Sequence, residues 1–414
     1  MLYCHTPKKE YFIKFVQEPY PIESQLDHGL HDHLNADVVA GTIENKQDAV
    51  DWITWSFLYR RISQNPNYYN LAGRTGTHIN DFLSELIETT VEDLQRAKCL
   101  QQKDDDDMDL EPANLGRIAA YYYIRYQTIE HFAKNLEDEA TLNKKMRFLL
   151  EVLAKSSEFE SVPIRQGETA LLGALLPHAT YPLEAGQLNT PESKANLLLQ
   201  CHFNRTGLSS DLRTDQRFIL EQAVKLVHAM VDVISSHGYL KPALLAMELC
   251  QQIVQAMWVT QSPLLQLPLI DLETVQVLKQ HHVEDVVDFM NMDDALRDKL
   301  LGVTQHQMAI IADACNRYPN IEMEVEIERG KYADGEQIDA VVTISRPDVE
   351  SEEDLQVFAT PVKAQYYPGA KEEQWWLVVG RPKLNKLYSI KKVTTFKNVQ
   401  ELQVKMSFAA KKEA

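Results

Sequence analysis

The chain has 414 residues and is acidic, with 60 Asp and Glu against 42 Lys and Arg and a net charge of −18. This length exceeds the ~100–200 residues of one ordinary domain, and the negative charge disfavours a protein whose main task is to hold phosphates. No apolar run reaches the ~18–20 residues that span a bilayer, the N-terminus lacks a signal pattern, and the five cysteines show no Cys-x-x-Cys spacing. These features predict a multidomain protein of nucleus or cytoplasm, with reduced thiols and no membrane contact.

The first part of the chain predicts helices followed by a pair of short strands. A short apolar, strand-like start at residues 1–4 and a helix at residues 8–16 precede a break at Pro19 and Pro21. The elements predicted next are helices near residues 25–40, 46–63 and 77–97 and two short strands around a turn at residues 104–107. Residues 73–77 lack the spacing and the lysine of a phosphate-binding loop, and therefore predict a turn.

Two polar clusters in this part invite a metal interpretation. His28 and His31 would share a helical face while His33 points away, and no Cys or Glu completes a tetrahedral set. The four consecutive aspartates at residues 104–107 cannot converge on one cation as an alternating Asp loop does. We interpret the histidines as polar residues near a helix start and the aspartates as a solvated charge run. No metal site and no cofactor are predicted.

Residues 114–261 predict a bundle of long helices. The helical segments are predicted at residues 117–136, 143–159, 192–206, 214–237 and 241–258. Apolar residues cover most of the helix at 214–237 and leave one polar stripe at steps of three and four. The stripe contains Arg217, Glu221, Lys225, His228, Asp232 and Ser235. Such a helix is buried on several sides and faces water or a channel on one, while the alternating charges are also typical of i,i+4 pairs on a solvated face.

The last part of the chain changes from short helices to strands. Residues 262–318 predict short helices with a mixed local charge, and strict alternation begins after Pro319. Strands are predicted at residues 321–328, 338–344, 355–358, 375–379, 387–393 and 402–408. Their spacing predicts an immunoglobulin- or fibronectin-type β-sandwich. Trp375 and Trp376 would point to opposite faces, so one is expected in the core and the other as an exposed anchor for a partner.

Several sequence blocks in a fixed order resemble the large helicases of the Ski-two-like group. The blocks are residues 23–24, 31–37, 43–71, 115–124, 197–205 and 316–322. Residues 43–71 resemble the winged helix that follows the second motor domain of such proteins, and residues 115–124 resemble the start of their Sec63 homology unit. Residues 288–294 and 316–322 are similar to the spliceosomal branch of the group, and the block at 316–322 has a form typical of its second, C-terminal helicase cassette. The resemblance covers nearly the whole chain.

The resemblance implies a domain order for the chain. It implies the tail of a second RecA-like motor domain at residues 1–22, a winged helix at 23–113, a helical bundle at 114–261, a helix-loop-helix at 262–318 and the β-sandwich at 319–414. The helix at 214–237 resembles the ratchet helix that faces nucleic acid, which implies Arg217, Lys225 and His228 as strand-facing residues. Arg165 and Glu168 fit the family pattern, whereas the residues around them depart from it.

Two features of the chain qualify what the resemblance implies. The aspartates at residues 104–107 would repel a phosphate backbone where a wing normally carries cations, so the winged helix is interpreted as a structural joint. The relatives continue through further strands beyond the point where this sequence closes. An incomplete sandwich is therefore expected, with an unpaired edge unless a partner covers it.

The motifs of the family's motor do not occur in the sequence. It has no Gly-x-x-x-x-Gly-Lys-[Ser/Thr] loop and no Asp-Glu-x-His-like box, so we expect no ATP hydrolysis and predict no catalytic residue. The resemblance implies a nuclear, non-motor accessory and protein-docking region of an RNA helicase of pre-mRNA splicing. Its partners would be the motor domains of the same helicase and other spliceosomal proteins. The alternatives are a module that guides single-stranded RNA and, with less support, the related helicase of transcription-coactivator and repair complexes.

Overall fold

The structure, a computed structural model, describes most of the chain as two compact units. The described residues are 3–17, 22–102, 108–137, 145–183, 186, 188–327, 332–349, 351–358, 360–396 and 398–409. The units comprise residues 1–130 and 131–414, and the boundary between them falls within a helix. The finer division into five domains stays a prediction.

The first unit consists of helices and one antiparallel strand pair. Its elements are α1 (Lys9–Gln17), α2 (Leu26–Ala40), α3 (Lys46–Thr54), α4 (Phe57–Gln64), α5 (Gly76–Arg96), β1 (Leu100–Gln102), β2 (Leu110–Pro112), α6 (Asn114–Tyr122) and the start of α7 (Tyr126–Leu136). Side-chain oxygens of Asn45, Ser56 and Thr75 accept hydrogen bonds from backbone N–H groups three residues on, which caps α3, α4 and α5. The helix predicted at residues 46–63 is two helices, because the Ser56 cap starts a new one.

Most other predictions for the first unit are confirmed. Helices occur at the places predicted near residues 25–40 and 77–97, followed by the strand pair, and residues 73–77 lead into α5 through the Thr75 cap. The helix predicted at residues 117–136 is interrupted at Tyr123, whose φ of 52° ends α6 in the left-handed region. Residues other than glycine rarely adopt this backbone conformation. Because the sequence has no glycine at this position, the end of α6 could not be predicted from it.

Two predictions fall partly or wholly outside the described residues. Tyr3 and Cys4 have no regular structure, so the strand predicted at the N-terminus is wrong for these two residues, and residues 1–2 are not described. The turn at residues 104–107 also lies outside the described residues. Its interpretation as a solvated charge run stays a prediction.

A glycine fixes the close approach of α6 to the turn between α5 and β1. The carbonyl of Gly116 accepts a hydrogen bond of 3.0 Å from the buried Asn35 side chain on α2. A Cβ atom at residue 116 would lie 2.1 Å from the carbonyl oxygen of Cys99 and 2.6 Å from Oδ1 of Asn35. Since neither neighbour is the end of a long flexible side chain, only glycine fits, which gives the block at residues 115–124 a packing role.

His31 on α2 contacts protein groups of the first unit. Nε2 of His31 lies 3.0 Å from Oδ2 of Asp93 on α5, and its ring stacks on Tyr126 with centroids 4.5 Å apart. Oδ1 of Asp32 accepts a hydrogen bond of 2.8 Å from the backbone N–H of Tyr126. Among the described residues, no three His, Cys, Asp or Glu side chains are placed to hold a metal ion. The contacts of His31 support a structural role within the first unit.

The second unit begins as a helical bundle. Its helices are α8 (Lys145–Ala154), α9 (Glu168–Leu175), α10 (Pro191–Phe203), α11 (Ser210–Ser236) and α12 (Leu240–Gln255). The long α11 packs against α8, α10 and α12, and Leu226, Val227 and Met230 on it are fully buried. The helix predicted at residues 214–237 is confirmed and begins one turn earlier. No helix of the described residues is long and apolar enough to cross a membrane.

Four short helices then form a small core of their own. They are α13 (Leu272–Gln280), α14 (Val286–Met290), α15 (Asp294–Leu301) and α16 (Gln305–Asn316). Leu264, Leu278, Phe289 and Ile311 belong to one buried cluster that these helices share with the turn before them. The prediction of short helices in residues 262–318 is confirmed.

The C-terminal strands form two antiparallel sheets in the described residues. The strands are β3 (Glu322–Ile327), β4 (Gln337–Ser345), β5 (Trp375–Arg381), β6 (Lys386–Val393) and β7 (Glu401–Ala409). One sheet has the order β3-β4-β7, and β5 pairs with β6 in the other. Leu377 and Val393 of the second sheet pack on Val342, Val404 and Met406 of the first. The immunoglobulin- or fibronectin-type assignment stays a prediction.

The strand predicted at residues 355–358 is wrong. These residues end α17 (Glu352–Phe358), which starts with three acidic residues. Acidic side chains favour a helix N-terminus, and Leu355 and Phe358 stand three apart as on one helical face. A four-residue apolar run gives too little periodicity to separate a strand from a short helix.

Candidate functional site

The polar stripe of α11 lies partly on the surface and partly in the interior. The side chain of Arg217 is 65% exposed, and its Nε donates to Oε1 of Glu221 at 2.9 Å. Lys225 is half-buried, and His228 is buried with 8% of its surface exposed. The expectation of a stripe facing water or a channel thus describes the Arg217 end, whereas the His228 end is covered by protein.

His228 is covered by the β5–β6 hairpin and by α12. Its Nδ1 lies 3.1 Å from Nζ of Lys392 on β6, and its Nε2 lies 3.4 Å from Sγ of Cys250 on α12. Trp376 of β5 meets the ring edge to face, with centroids 5.2 Å apart. Since an ammonium group can only donate, Nδ1 accepts from Lys392 and the ring proton sits on Nε2, where it donates to the Cys250 sulfur.

The cluster around His228 keeps the histidine neutral. Burial lowers the pKa of His228 to about 3, and the charges of Lys392 and Lys371 act in the same direction. Burial also raises the pKa of the Cys250 thiol to about 11. Both groups are uncharged near pH 7, so the cluster offers neither a general acid near its working pH nor a reactive thiolate.

Two half-buried lysines give this region a local positive charge. Burial lowers the pKa of Lys371 and of Lys392, although Asp232 raises that of Lys392. Nζ of Lys371 lies 5.2 Å from the ring centre of Tyr367, whose hydroxyl donates to the carbonyl of Leu220 at 3.2 Å. Within the described part of the chain, neither lysine forms a salt bridge with a carboxylate. They are suited to hold an anionic group.

Trp375 and Trp376 are both half-buried, so neither is the freely exposed aromatic that alternation predicted. Trp375 packs against the core between the two sheets, and its Nε1 donates to Glu373. Trp376 faces the helices, where it contacts His228 and lies under the ammonium group of Lys392 at 5.6 Å. The prediction that they point to opposite faces is confirmed. Their role in binding a partner stays a proposal.

Both tryptophans line a cleft of about 830 Å³, named here the β5 cleft. Its walls are strand β5, the apolar side of β3 and β4, and helix α12, and they include Trp375, Trp376, Val325, Val342 and Met247. Lys371 also lines the β5 cleft. The cleft is thus an apolar space with a cation at its border, a composition suited to binding a polypeptide or another amphipathic ligand.

A buried ion network holds the N-terminal half of α11. Nζ of Lys194 on α10 donates to Oε2 of Glu168 and Oδ2 of Asp215 at 2.7 Å each and to the carbonyl of Pro163 at 2.6 Å. The Arg165 guanidinium donates to both oxygens of Asp215 and to Oε1 of Glu168, and the Arg165 backbone N–H donates to Oε2 of Glu168. Lys194 is fully buried, and the two carboxylates are 4% and 5% exposed. The network joins α9, α10 and α11.

The electrostatics of this network favour charged carboxylates. Burial raises the pKa of Asp215, but the hydrogen bonds from Arg165 and Lys194 outweigh it and hold the pKa below its usual value. Burial likewise raises the pKa of Glu168, but hydrogen bonds from Lys194 and Arg165, with Lys194 first, outweigh it and lower this pKa. All three hydrogens of the Lys194 ammonium have acceptors, which satisfies the group completely. The network is structural, and Arg165 and Glu168 both take part in it.

Sequence reasoning missed the partners that complete both clusters. The sequence does give a signal for Lys194, because a largely apolar helical segment follows it directly. In the structure the last ten residues of this helix, beginning with Lys194, are all buried. Asp215 lies beside the polar stripe of α11 and is not part of it, so the stripe gives no signal for its role. Lys392 carries no signal, because it is 164 residues away from the His228 that it contacts.

The architecture defines a class of protein: a winged-helix unit followed by a helical bundle with short helices and C-terminal strands. The Sec63 Brl domain family matches residues 112–414, and a winged helix-turn-helix domain family matches residues 23–104. Because the Sec63 match covers well over half of the sequence, the chain belongs to the Sec63 Brl domain family. The predicted winged helix and Sec63 unit are confirmed.

Curated relatives are similar over nearly the whole chain. The U5 small nuclear ribonucleoprotein 200 kDa helicase of Drosophila melanogaster is 46% identical over 416 residues, covering 99% of this chain and 19% of that protein. The protein of the same name from Homo sapiens is 45% identical over 411 residues, covering 99% of this chain and 18% of its own length. The activating signal cointegrator 1 complex subunit 3-like protein of Dictyostelium discoideum is 40% identical over 404 residues, covering 97% of this chain and 18% of that protein.

The chain spans about a fifth of the length of these curated relatives. The predicted resemblance to the Ski-two-like helicases is confirmed by the two U5 helicases. The Dictyostelium protein corresponds to the coactivator-complex helicase that the sequence left as a further alternative.

Proposed function

We propose that this chain is a non-motor accessory and protein-docking region of a spliceosomal RNA helicase, which acts in the nucleus in pre-mRNA splicing. The observation that carries the proposal is the 45–46% identity to U5 helicases along the whole chain. We further propose that it corresponds to the second helicase cassette and that its strands form an immunoglobulin- or fibronectin-type sandwich. Its partners would be the motor domains of the same helicase and other spliceosomal proteins.

The charge and the covered stripe support docking of protein over handling of RNA. The net charge of −18 opposes a phosphate backbone at long range. Arg217 is engaged by Glu221, and His228 lies under Trp376 and Lys392. Neutral, buried His228 contributes no charge to a strand that passes α11.

The guiding of single-stranded RNA is the second candidate function. Its support is the ratchet-like position of α11 together with the exposed Arg217 and the half-buried Lys225. This function would use local cations only, since counterion release requires positive charge at the contact. Arg217 and Lys225 would then orient a passing RNA strand, and the affinity for RNA would be low.

The experiment that separates the two functions places substitutions in the helicase that carries this segment. Arg217→Glu combined with Lys225→Glu reverses the exposed and the half-buried cation of the stripe, and an exposed position such as Arg217 usually costs within about 0.5 kcal/mol of stability. Docking predicts unchanged RNA unwinding and unchanged RNA crosslinking in this variant. A matched variant, Glu221→Gln with Asp232→Asn, tests whether any charge change on the same stripe has an effect.

The outcome that would contradict the docking proposal is specific. Loss of unwinding and crosslinking in the Arg217→Glu, Lys225→Glu variant, with the matched variant active, would assign α11 to RNA guiding. Thermal unfolding of each variant checks that the helix remains packed. Unchanged unwinding together with weaker recovery of spliceosomal proteins by Trp376→Ala is the result that we expect.

A further inference from the structure

The segment that follows α17 presents a threonine hydroxyl on an accessible stretch of backbone. Residues 360–363 are all exposed and belong to no helix or strand. The hydroxyl of Thr360 donates to the carbonyl of Val357 at 2.9 Å and accepts from Nη1 of Arg317, the residue after α16, at 2.5 Å. An exposed, irregular segment of this kind can be drawn into the active site of a modifying enzyme without the unfolding of a helix or a sheet.

The sequence at Thr360 fits the kinases that phosphorylate Ser or Thr before proline. Kinases of this class read a proline directly after the target, and many of them favour a cation two residues further on. Residues 360–363, Thr-Pro-Val-Lys, have both features. Thr6, Thr190 and Ser262 also precede a proline, but of these three only Thr6 is followed by the cation. Thr6 therefore serves as a comparison site within the same chain.

Two cations beside the Thr360 hydroxyl have donors to spare. Nε of Arg317 donates to Oδ1 of Asp313 at 3.0 Å, and Nζ of Lys363 lies 2.8 Å from Oδ2 of the same carboxylate. Hydrogen bonds from Lys363 and then Arg317 hold the pKa of Asp313 below its usual value. Within the described residues, Nη2 of Arg317 has no acceptor and the ammonium of Lys363 has no other one. Two cations thus share one carboxylate, and both can bind a further anion.

Arg317, Thr360 and Lys363 line one cavity of about 360 Å³. The described lining contains a single carboxylate, that of Glu373, and this group is already engaged by the fully buried Arg346 at 2.7 Å. The lining also includes the amide side chains of Gln251, Gln255 and Gln266. Guanidinium, ammonium and amide groups are all donors to phosphate oxygens. The cavity therefore offers room and donors for a phosphate on Thr360.

We propose that Thr360 is phosphorylated by a proline-directed kinase and that Arg317 and Lys363 bind the phosphate. In this reaction Oγ1 of Thr360 bonds to the γ-phosphorus of ATP, the bond from that phosphorus to the bridging oxygen breaks, ADP leaves, and the hydroxyl proton passes to the base of the kinase. The phosphate has a charge of about −1.5 to −2 at pH 7, against the single charge of Asp313. It therefore draws both cations to itself and ties the segment before β5 to the end of α16. The inference rests on these contacts and does not depend on the proposed role in splicing.

The first experiment asks whether the hydroxyl is modified. The whole 414-residue chain is incubated with a cyclin-dependent kinase and magnesium ATP, and the modified residues are located by mass spectrometry of its peptides. We expect phosphate at Thr360, and Thr360→Ala should remove this phosphate without changing incorporation at Thr6. Phosphate at Thr6 with none at Thr360 would overturn the proposal, because both residues carry the sequence that the kinase reads.

The second experiment asks whether the phosphate is bound. Alkaline phosphatase should release it from Thr360 at least about tenfold more slowly than from Thr6, since one charge-assisted hydrogen bond corresponds to about this factor. The side chain of Thr6 has no hydrogen bond in the part of the chain that the structure describes. Phosphorylation should also slow hydrogen exchange of the Val362 amide, which donates to the carbonyl of Lys371 at 2.7 Å. Equal release from Thr360 and Thr6 would show that no residue receives the phosphate.

Matched substitutions assign the binding to Arg317. Arg317 lies 43 residues before Thr360, so Arg317→Gln leaves the sequence that the kinase reads intact. This variant should still be phosphorylated at Thr360 but should lose the slow release, whereas Arg317→Lys, which keeps the charge, should retain part of it. Lys299→Gln, at an exposed cation on α15, should release phosphate as slowly as the unchanged chain. Slow release that persists in Arg317→Gln would refute the proposed phosphate site, and thermal unfolding of the unmodified variants checks that each remains folded.

Discussion

Replacement of Lys194 by Met should destabilise the second unit strongly. Lys194 is fully buried and gives two hydrogen bonds of 2.7 Å to the carboxylates of Glu168 and Asp215. A hydrogen bond to a charged group contributes about 1.5–3 kcal/mol, so two of them correspond to about 3–6 kcal/mol. Arg165 remains as a partner of both carboxylates, which places the expected loss at about 3–5 kcal/mol, as for other broken buried pairs.

Urea unfolding followed by tryptophan fluorescence measures this loss. The expected cost shrinks as the pH is lowered from about 7 to about 5, because a carboxylate stripped of Lys194 takes up a proton more readily in the folded state than in the unfolded state. A simple packing defect would show no such pH dependence. Arg217→Met, which breaks the exposed pair with Glu221, is the matched control and should cost below about 1 kcal/mol. A loss below about 1 kcal/mol in Lys194→Met, or one independent of pH, would refute the reasoning.

The remaining predictions concern activity, RNA, pH and packing. The isolated chain should hydrolyse no ATP above a buffer blank with or without RNA, and measured RNA-stimulated turnover would contradict this. Its affinity for labelled single-stranded RNA should be weak and should fall steeply with salt, so submicromolar binding at physiological salt would favour the RNA-guiding function. The pKa of His228 is about 3 in the folded state and about 6.5 when unfolded, so the unfolded state binds more protons below pH 6.5 and the free energy of unfolding falls as pH decreases. From pH 6.5 to 5 this amounts to about 1.6 kcal/mol, which His228→Gln should remove from the urea data; equal slopes in both proteins would contradict the shift. Gly116→Ala should lower the unfolding temperature of the first unit, because the added Cβ meets the Cys99 carbonyl at 2.1 Å, and an unchanged transition would show that α6 can move away.

The long periodic elements could be predicted from sequence because their signal repeats. The stripe on α11 extends over several turns, and the alternation of β3 extends over six residues, so each specifies one period. Residues 355–358 show the limit, since four residues fit both a strand and a helical turn. The helix break at Ser56 could not be predicted for another reason. The apolar pattern continues through this position, but the single side-chain cap of Ser56 starts a new helix there.

The surroundings of the candidate site could not be predicted from the sequence. Periodicity placed His228 on the polar stripe of α11, and a stripe is ordinarily solvated. The hairpin that covers it begins at Trp375, about 150 residues later, and local patterns carry no information on such contacts. For the same reason, nothing in the sequence indicated that Lys371 and Lys392 lie near His228. Family resemblance supplied the order of the elements, whereas burial depended on how they pack.

The measurement that tests the docking account most directly is recovery of U5 particles with the tagged chain from nuclear extract, before and after ribonuclease treatment. Docking through protein contacts predicts that U5 proteins are recovered equally in both samples and that Trp376→Ala reduces the recovery. Thermal unfolding of that variant establishes that the hairpin remains folded. Recovery that ribonuclease abolishes, or that Arg217→Glu with Lys225→Glu reduces while Trp376→Ala does not, would contradict the account.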